Sequence, residues 1–392
     1  MFYLICQRKD FRPAYSKLGS LASVFQKIPL LGLTATATST TQRAIIESLG
    51  MIDPTVIHVN PNRKNIYFSC SRRGNHGDDK LVTILQPLVT ELRYQRLDFP
   101  LTIVYGTLET ISSCYEYFSS HLQEEQYEPV GAPKLAQYRL FTQFHAQYPE
   151  HERERIVEEL VQGKSKLRII FATVAFGIGL DIKNIRQVIH IGLPYSMEEY
   201  FQEAGRAGRD GLPAKAHVYY NSYDVSKGKK QLTQVMRDYV NKSKCKREMI
   251  LNYFGFPVPS ASEAVHTCCD YHQKICDCDD CIVSNVSNMF EENMQDEMNL
   301  PADISEAEQK QLEPDVEEKL REELDLFRLS LPGSGRSSVG STSLSSGITI
   351  TLMDQVVQHA FSLTTVEEIE SRLPIYSRKY ATAIWAIVQK YT

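Results

Sequence analysis

Hydrophobic and polar positions alternate in blocks between residues 78 and 224. Three runs, PLTIVYG (100–106), LRIIFAT (167–173) and QVIHIGLP (187–194), are mostly apolar, as strands buried on both faces are. The stretches between them repeat their apolar residues with helical spacing, for example TISSCYEYFSSHLQEE (110–125). Strands that alternate with helices predict an α/β fold with a parallel, doubly wound sheet.

Residues 1–73 carry a shorter version of this pattern. A helix is predicted to begin after Ser39 or Thr40, both good N-caps. The polar, glycine-containing segment RRGNHGDDK (72–80) predicts a domain boundary. The predicted strands are PLLGLT (29–34), VIHV (56–59) and NIYFSC (65–70).

The composition changes after residue 224. A Lys-rich helical stretch leads into a cysteine cluster (225–285), and an acidic segment (286–348), partly helical near 313–328, ends in the Gly/Ser-rich composition of a flexible linker. Helical patterns return in 349–392 and predict a small helical hairpin. Its expected core is Phe361, Leu363, Ile375, Ile384, Trp385 and Val388.

Charge is unevenly distributed over the 392 residues, whose formal net charge is −5. Residues 291–325 hold 14 acidic and 3 basic residues, a balance of −11, so the remainder carries +6. No window approaches the roughly 20 consecutive apolar residues of a membrane-spanning helix. The opening MFYLICQRKD has no basic residue before its apolar run, so we expect neither a secretory signal nor a membrane partner.

Six of the nine cysteines lie between residues 245 and 281. In the reducing compartment expected without a secretory signal, such a cluster indicates a metal before a disulfide. A structural Zn²⁺ needs four thiolate or imidazole ligands, and Cys278-x-x-Cys281 has the spacing of a zinc knuckle. The remaining candidate ligands are Cys245, Cys268, Cys269, Cys276 and His272.

The segment 167–211 has the features of a phosphate site. A buried strand opens into a glycine-containing loop, 177–181, at the sheet edge where ligands bind in open α/β folds. The next helix is predicted to carry Gln202, Arg206 and Arg209 on one face, because they are spaced by four and three residues. Two arginines on one face suit a polyphosphate. The alternative is a solvated basic face.

These motifs resemble, in order, those of the RecQ family of superfamily 2 helicases, over about residues 10–285. ATVAFGIGLD (172–181) resembles motif V and QEAGRAGRDG (202–211) resembles motif VI. LTATAT (33–38) resembles motif III, DFRPAY (10–15) the end of the aromatic-rich loop, and FHAQYPEHERERIVEEL (144–160) the HAG-type segment.

The resemblance implies a division of the chain into helicase parts. Residues 1–73 would be the C-terminal remnant of a first RecA-like lobe, 78–224 the second RecA-like lobe and 225–285 a helical zinc-binding subdomain. The acidic and Gly/Ser-rich linker (286–348) and a small helical segment of unknown role (349–392) would follow.

The resemblance also assigns roles. Arg209 would be the arginine finger that offsets charge on the γ-phosphate, with Arg206 as its companion and Gln202 beside them. Gly179 and Asp181 would belong to the loop that faces the ATP cleft. Among the zinc ligands, the family pattern matches Cys245 to the helical ligand and favours Cys269 as the fourth, after Cys278 and Cys281. The expected DNA-binding residues are Phe11, Thr34, Thr36, Lys244 and Arg247.

Two family motifs are missing from this sequence. A P-loop requires GxxxxGK[ST], but the only GKS, Gly163–Ser165, has Glu158 where the first glycine should be. No DExH box occurs, and the only tryptophan is Trp385, so Phe11 alone would remain to stack on a base. We therefore expect a fragment that lacks most of the first lobe.

The resulting expectation is an ATP-dependent 3′–5′ DNA helicase of RecQ type, acting on single-stranded and branched or duplex DNA in repair, recombination or replication. Its cofactors would be structural Zn²⁺ together with ATP and Mg²⁺. It would be nuclear in a eukaryote and cytoplasmic otherwise. The alternative is a non-catalytic DNA-binding remnant, or a modulator of a full helicase.

Overall fold

The computed structural model describes most of the chain. The described residues are 28–34, 38–74, 79–174, 176, 181–257, 267–276, 312, 314–331, 348, 350–373, 375 and 377–392. The site predictions that lie outside them are those for Phe11, Thr36, Gly179, Cys278 and Cys281.

A parallel sheet of six strands organises the described residues, in the order β1-β6-β5-β2-β4-β3. The predicted α/β fold with a parallel, doubly wound sheet is therefore confirmed. The strands are β1 (Ile66–Arg72), β2 (Thr102–Tyr105), β3 (Phe141–Phe144), β4 (Ile169–Ala172), β5 (Gln187–Ile191) and β6 (Ala214–Tyr220).

Helices cover the sheet and continue beyond it. Those of the first 276 residues are α1 (Ser39–Ser48), α2 (Asp79–Gln95), α3 (Leu108–Leu122), α4 (Glu150–Val161), α5 (Met197–Ala204), α6 (Gln234–Asn241), α7 (Lys246–Tyr253) and α8 (Asp270–Ile275). Those that follow are α9 (Pro314–Ser330), α10 (Ile350–Gln358), α11 (Val366–Arg372) and α12 (Arg378–Val388). No helix in the described ranges is long and apolar enough to cross a membrane.

Both faces of the sheet are buried, which explains why its strands are apolar along their length. In β2, Ile103 and Tyr105 point into one hydrophobic cluster, while Val104 points into the other. Such alternation within a wholly buried strand is what helices on both faces of a parallel sheet require. Because β2, β4 and β5 are parallel, their carboxyl ends lie on the same side of the sheet.

Residues 28–73 differ most from the prediction. NIYFSC does form a strand, β1, but β1 pairs with β6 and so belongs to the same sheet as residues 102–220. That sheet begins before the boundary predicted near residue 73. The strands predicted at 29–34 and 56–59 are wrong: neither segment is a strand, and Ile57 is 84% exposed. Neither segment pairs with a strand among the described residues.

Strand β3 was not predicted. It is only four residues long and occupies the edge of the sheet beside β4. Its sequence, FTQF, mixes apolar and polar residues although all four positions are buried. Such a short segment gives no clear periodicity.

The C-terminal helices form their own hydrophobic cluster. Leu320 and Leu324 of α9 pack in it with residues of α10 to α12, so part of the segment 286–348 predicted as linker is structured. Leu363, Ile375, Ile384 and Val388 are buried as predicted. Phe361 is 38% exposed, which contradicts its predicted place in the core, and Trp385 packs at the margin and donates its indole N–H to the Thr364 carbonyl at 2.9 Å.

Candidate functional site: an arginine turn beside a cysteine cluster

Arg206 and Arg209 do not lie on a helix, in contrast to the prediction. Helix α5 begins with the Ser196 side chain as N-cap and ends at Ala204, and Gly205 is its C-cap. The chain then turns through residues 205–210, which we call the arginine turn. Gly208, with φ +58°, adopts the left-handed conformation that stops a helix. The prediction of one helical face was therefore wrong: Gly205 and Gly208, expected within the helix, lie beyond its last residue, Ala204.

The two arginines face different surroundings. Arg206 is only 9% exposed and lies close enough to Tyr105, at the end of β2, to interact with its hydroxyl. Burial raises the pKa of Tyr105, and the Arg206 guanidinium partly opposes that rise. The Arg209 side chain is 31% exposed and contacts the Asp181 carboxylate at 3.3 Å. Gln202 is exposed on α5. The Arg209 side chain is thus exposed enough to contact a ligand, whereas the Arg206 side chain is buried.

A buried hydrogen bond supports the helix that leads into the turn. His190 of β5 and Glu203 of α5 are 2.9 Å apart between Nε2 and Oε2, and both side chains are almost completely buried. The His190 ring also stacks on Tyr105 at 5.3 Å. These contacts join α5 to the carboxyl edge of the sheet.

Arg63 and Asn65 hold the arginine turn from the other side, a role that no sequence pattern indicates. The Arg63 guanidinium donates to the carbonyls of Gly205, Ala207 and Gly208 at 3.3, 3.1 and 2.6 Å. The Asn65 amide donates to the carbonyls of Gly208 and Leu212 at 2.7 and 2.8 Å. The segment PNRKN (61–65) carries no local signal for this role, because its partners lie about 140 residues away.

Alanine at Gly208 should loosen the turn. A Cβ there would overlap the Asn65 amide and lie 2.8 Å from the Leu212 carbonyl oxygen. Gly211→Ala is the matched control, since Gly211 has φ +83° but open space around its Cβ position. Both changes should cost the ~1–2 kcal/mol of a left-handed alanine, and Gly208→Ala about 1–3 kcal/mol more from the clash. Urea unfolding measures both, and equal losses would contradict this account of the turn.

Of the other residues predicted to face an ATP cleft, Asp181 is exposed. The GKS sequence that begins at Gly163 follows a helix, as expected: Gly163 comes after α4, has φ +67° and donates its N–H to the Leu160 carbonyl at 3.2 Å. Thr34, predicted to contact DNA, is exposed in an irregular segment. Its role stays a prediction.

Four potential metal ligands converge next to β1. The ligand atoms of Cys245, Cys268, Cys269 and His272 all lie within 4.8 Å of one another. Cys245 is the N-cap of α7 and Cys269 that of α8, so two helix starts bring the thiols together. The cluster contains the predicted Cys245 and Cys269 and two of the alternates, whereas Cys276 is the C-cap of α8.

The spacing of this cysteine cluster fits a tetrahedral ion. The Cys245 sulfur is 3.7 Å from that of Cys268 and 3.9 Å from that of Cys269, and the Cys269 sulfur is 3.3 Å from His272 Nδ1. A tetrahedron with Zn–S bonds of about 2.3 Å has sulfur–sulfur edges of ~3.8 Å. The Cys245 and Cys269 thiols and the Arg247 guanidinium lower the pKa of Cys268. Three sulfurs and one imidazole therefore fit a closed structural site.

The basic residues around the cluster separate into two groups. Lys244 is exposed, as a phosphate contact must be. Lys246 is buried and donates to the Tyr239 carbonyl at 2.6 Å. Arg247 bonds the Cys268 sulfur and the carbonyls of Arg63 and Ile66. DNA binding by Arg247 stays a prediction, and these contacts favour a structural role for it.

Comparisons with known proteins relate this chain to helicases. The model of the helicase conserved C-terminal domain matches residues 118–211. The ATP-dependent DNA helicase Q-like 2 of Arabidopsis thaliana is 30% identical over 269 residues, which are 66% of this chain and 35% of the relative. The ATP-dependent DNA helicase RecQ of Pasteurella multocida is 30% identical over 291 residues, 70% of this chain and 39% of the relative.

A solved structure, S. cerevisiae Dbp5 bound to RNA and ADP BeF3, is 15% identical, with a TM-score of 0.43 over 64% of this chain and 55% of that one. The chain spans little more than a third of the two curated relatives. Over about two thirds of its length it is homologous to RecQ-family helicases, and its residues 118–211 match the helicase conserved C-terminal domain.

Proposed function

We propose that this chain supplies the second lobe and the zinc-binding subdomain of a RecQ-type ATP-dependent DNA helicase that moves 3′ to 5′ on single strands. The observation that carries the proposal is the arginine turn. Its backbone lies beside the segments that lead into β1, β5 and β6, with the Arg209 side chain exposed and the Arg206 side chain buried toward Tyr105.

In this proposal Arg209 is the residue that meets ATP. Its guanidinium would offset the charge that develops on the γ-phosphate, a contribution of about 10³–10⁵ in rate in NTPases. Arg206, buried against Tyr105, would hold the turn in place rather than touch the nucleotide. The contact between Arg209 and Asp181 would be exchanged for the phosphate when a nucleotide arrives.

The cysteine cluster would hold one structural zinc. Cys245 and Cys269 are the two ligands that both the sequence and the geometry favour. Cys268 and His272 would complete the set among the described residues, and Cys278 and Cys281 are the competing pair. A zinc here would join α7 and α8 to β1. The Cys70 N–H donates to the Asp270 carboxylate, and the Phe68 N–H donates to the Cys268 carbonyl.

DNA would be bound through exposed lysines beside this subdomain. We expect Lys244→Gln to weaken binding of single-stranded DNA and to reduce the slope of log K against log salt by about 1, because one phosphate contact is lost. Lys134→Gln is the control: Lys134 is exposed and lies in the segment that leads to β3, at the opposite sheet edge from β1. Fluorescence anisotropy at several salt concentrations measures both, and identical slopes would argue against this surface.

A non-catalytic function is the alternative, since the sequence contains neither a P-loop nor a DExH box. The chain would then bind DNA or modulate a full helicase through its second RecA-like lobe. Roles in repair, recombination or replication, in the nucleus of a eukaryote or otherwise in the cytoplasm, belong to the helicase proposal.

A further inference from the structure

The cysteine cluster and the arginine turn are joined by two arginine side chains. The first is Arg247, which contacts one of the proposed metal ligands. Its Nε donates to the Cys268 sulfur at 3.3 Å, and its guanidinium lies over the Phe68 ring at 5.4 Å. The same group donates to the Asn62 side chain at 3.0 Å. The position of Arg247 therefore depends on where the cluster holds Cys268.

Arg247 in turn fixes the segment before β1. It donates to the carbonyls of Arg63 and Ile66 at 2.5 and 2.6 Å. The Arg63 carbonyl also accepts the N–H of Ile66 at 3.1 Å, which closes a tight turn at residues 63–66. Hydrogen bonds from a charged donor are about twice as strong as neutral ones, so this turn is held mainly by Arg247.

Arg63 carries the connection to the arginine turn. While its backbone carbonyl accepts from Arg247, its side chain donates to the carbonyls of Gly205, Ala207 and Gly208. Burial and the nearby Arg209 guanidinium both lower the pKa of Arg63, with Asp210 opposing them. Arg63 thus lies close to the residue proposed to meet the γ-phosphate.

We propose that Arg247 and Arg63 are positioning residues that couple metal binding at the cysteine cluster to the conformation of the arginine turn. The inference rests on the proposed zinc site and goes beyond its role in stability. Coupling between two sites is reciprocal, so a change that frees the turn from Arg63 must also weaken metal binding. The Arg63 side chain donates to carbonyls of the arginine turn and not to the proposed metal ligands. A loss of zinc affinity in an Arg63 variant would therefore be transmitted through the turn.

The test compares the full chain with and without Zn²⁺ by hydrogen exchange. The reporters are amides in or beside the turn, with those of β2 and β5 as internal reference. Zinc should slow exchange at residues 205–212 by about tenfold relative to the reference, the effect of securing one charge-assisted hydrogen bond. Competition with a chromophoric chelator gives the zinc affinity of the same samples.

Arg63→Lys keeps the charge but cannot serve three carbonyls at once. It should abolish the zinc-dependent protection of 205–212 and weaken zinc binding by a similar factor. The matched control is Arg237→Lys. Arg237 also bonds several carbonyls, of Val225, Ser226, Lys229 and Leu232, but none in the turn. Its replacement should leave both measurements unchanged.

Three results would overturn the inference. Zinc could bind the unaltered chain without slowing exchange at 205–212 more than in the reference strands. The protection could persist in Arg63→Lys, or Arg237→Lys could reduce it equally. If no zinc binds at all, the zinc site itself fails, and this outcome is separated from the others by the chelator titration. The unaltered chain alone decides the matter if Arg63→Lys does not fold.

Discussion

Serine in place of Cys245 or Cys269 is expected to remove the zinc and to unfold helices α7 and α8. Three ligands cannot close a tetrahedral structural site, and binding free energies of about 10–16 kcal/mol for structural zinc are folding free energy. The effect should be far larger than that of an ordinary thiol-to-hydroxyl change. Metal analysis in reducing buffer should fall from one zinc per chain to nearly none.

Cys114→Ser is the control for this prediction. Cys114 is as fully buried as Cys269 but lies in the hydrophobic cluster on the other face of the sheet. Its replacement should therefore lower stability and leave the zinc content at one per chain. Serine at Cys268, Cys278 and Cys281, one at a time, identifies the remaining ligands. A chain that contains no zinc, or a Cys245→Ser variant with unchanged zinc and melting temperature, would contradict the proposed site.

Hydrolysis of ATP by this chain alone is expected to stay at background. The γ-phosphate needs a P-loop and a carboxylate that positions Mg²⁺, and the sequence offers neither. The arginine turn stabilises charge but cannot hold the β- and γ-phosphates by itself. Phosphate release with Mg-ATP and single-stranded DNA measures this directly. DNA-stimulated turnover that disappears in Arg209→Ala would show that the chain holds ATP after all.

The sheet could be predicted because its strands are buried on both faces. That burial makes β2, β4 and β5 apolar along their length, which is visible in the sequence. The short edge strand β3 lacks this signal. Helix α9 was predicted, but its packing with α10 and α12 was not, because an acidic composition hides the two buried leucines on its inner side.

The sequence predicts which residues belong to the candidate site but not how they are arranged. Motif VI identified Arg206 and Arg209, but Gly205 and Gly208 end the helix and give the two arginines opposite environments. The role of Arg63 depends on partners distant in sequence, which no local pattern contains. The cysteine spacing favours Cys278 and Cys281, which lie outside the described residues, and within those residues folding brings Cys268 and His272 to Cys245 and Cys269.

The most direct test of the account is the rate of DNA-stimulated ATP hydrolysis after a first helicase lobe with a P-loop and a DExH box is joined upstream of Met1. The account predicts that this fusion hydrolyses ATP and that Arg209→Ala lowers its rate by about 10³ or more, while ATP still binds. Arg93→Ala, a change at an exposed arginine of α2 paired with Glu125, should leave the rate unchanged. A fusion that hydrolyses ATP equally well with and without Arg209→Ala would contradict the central claim.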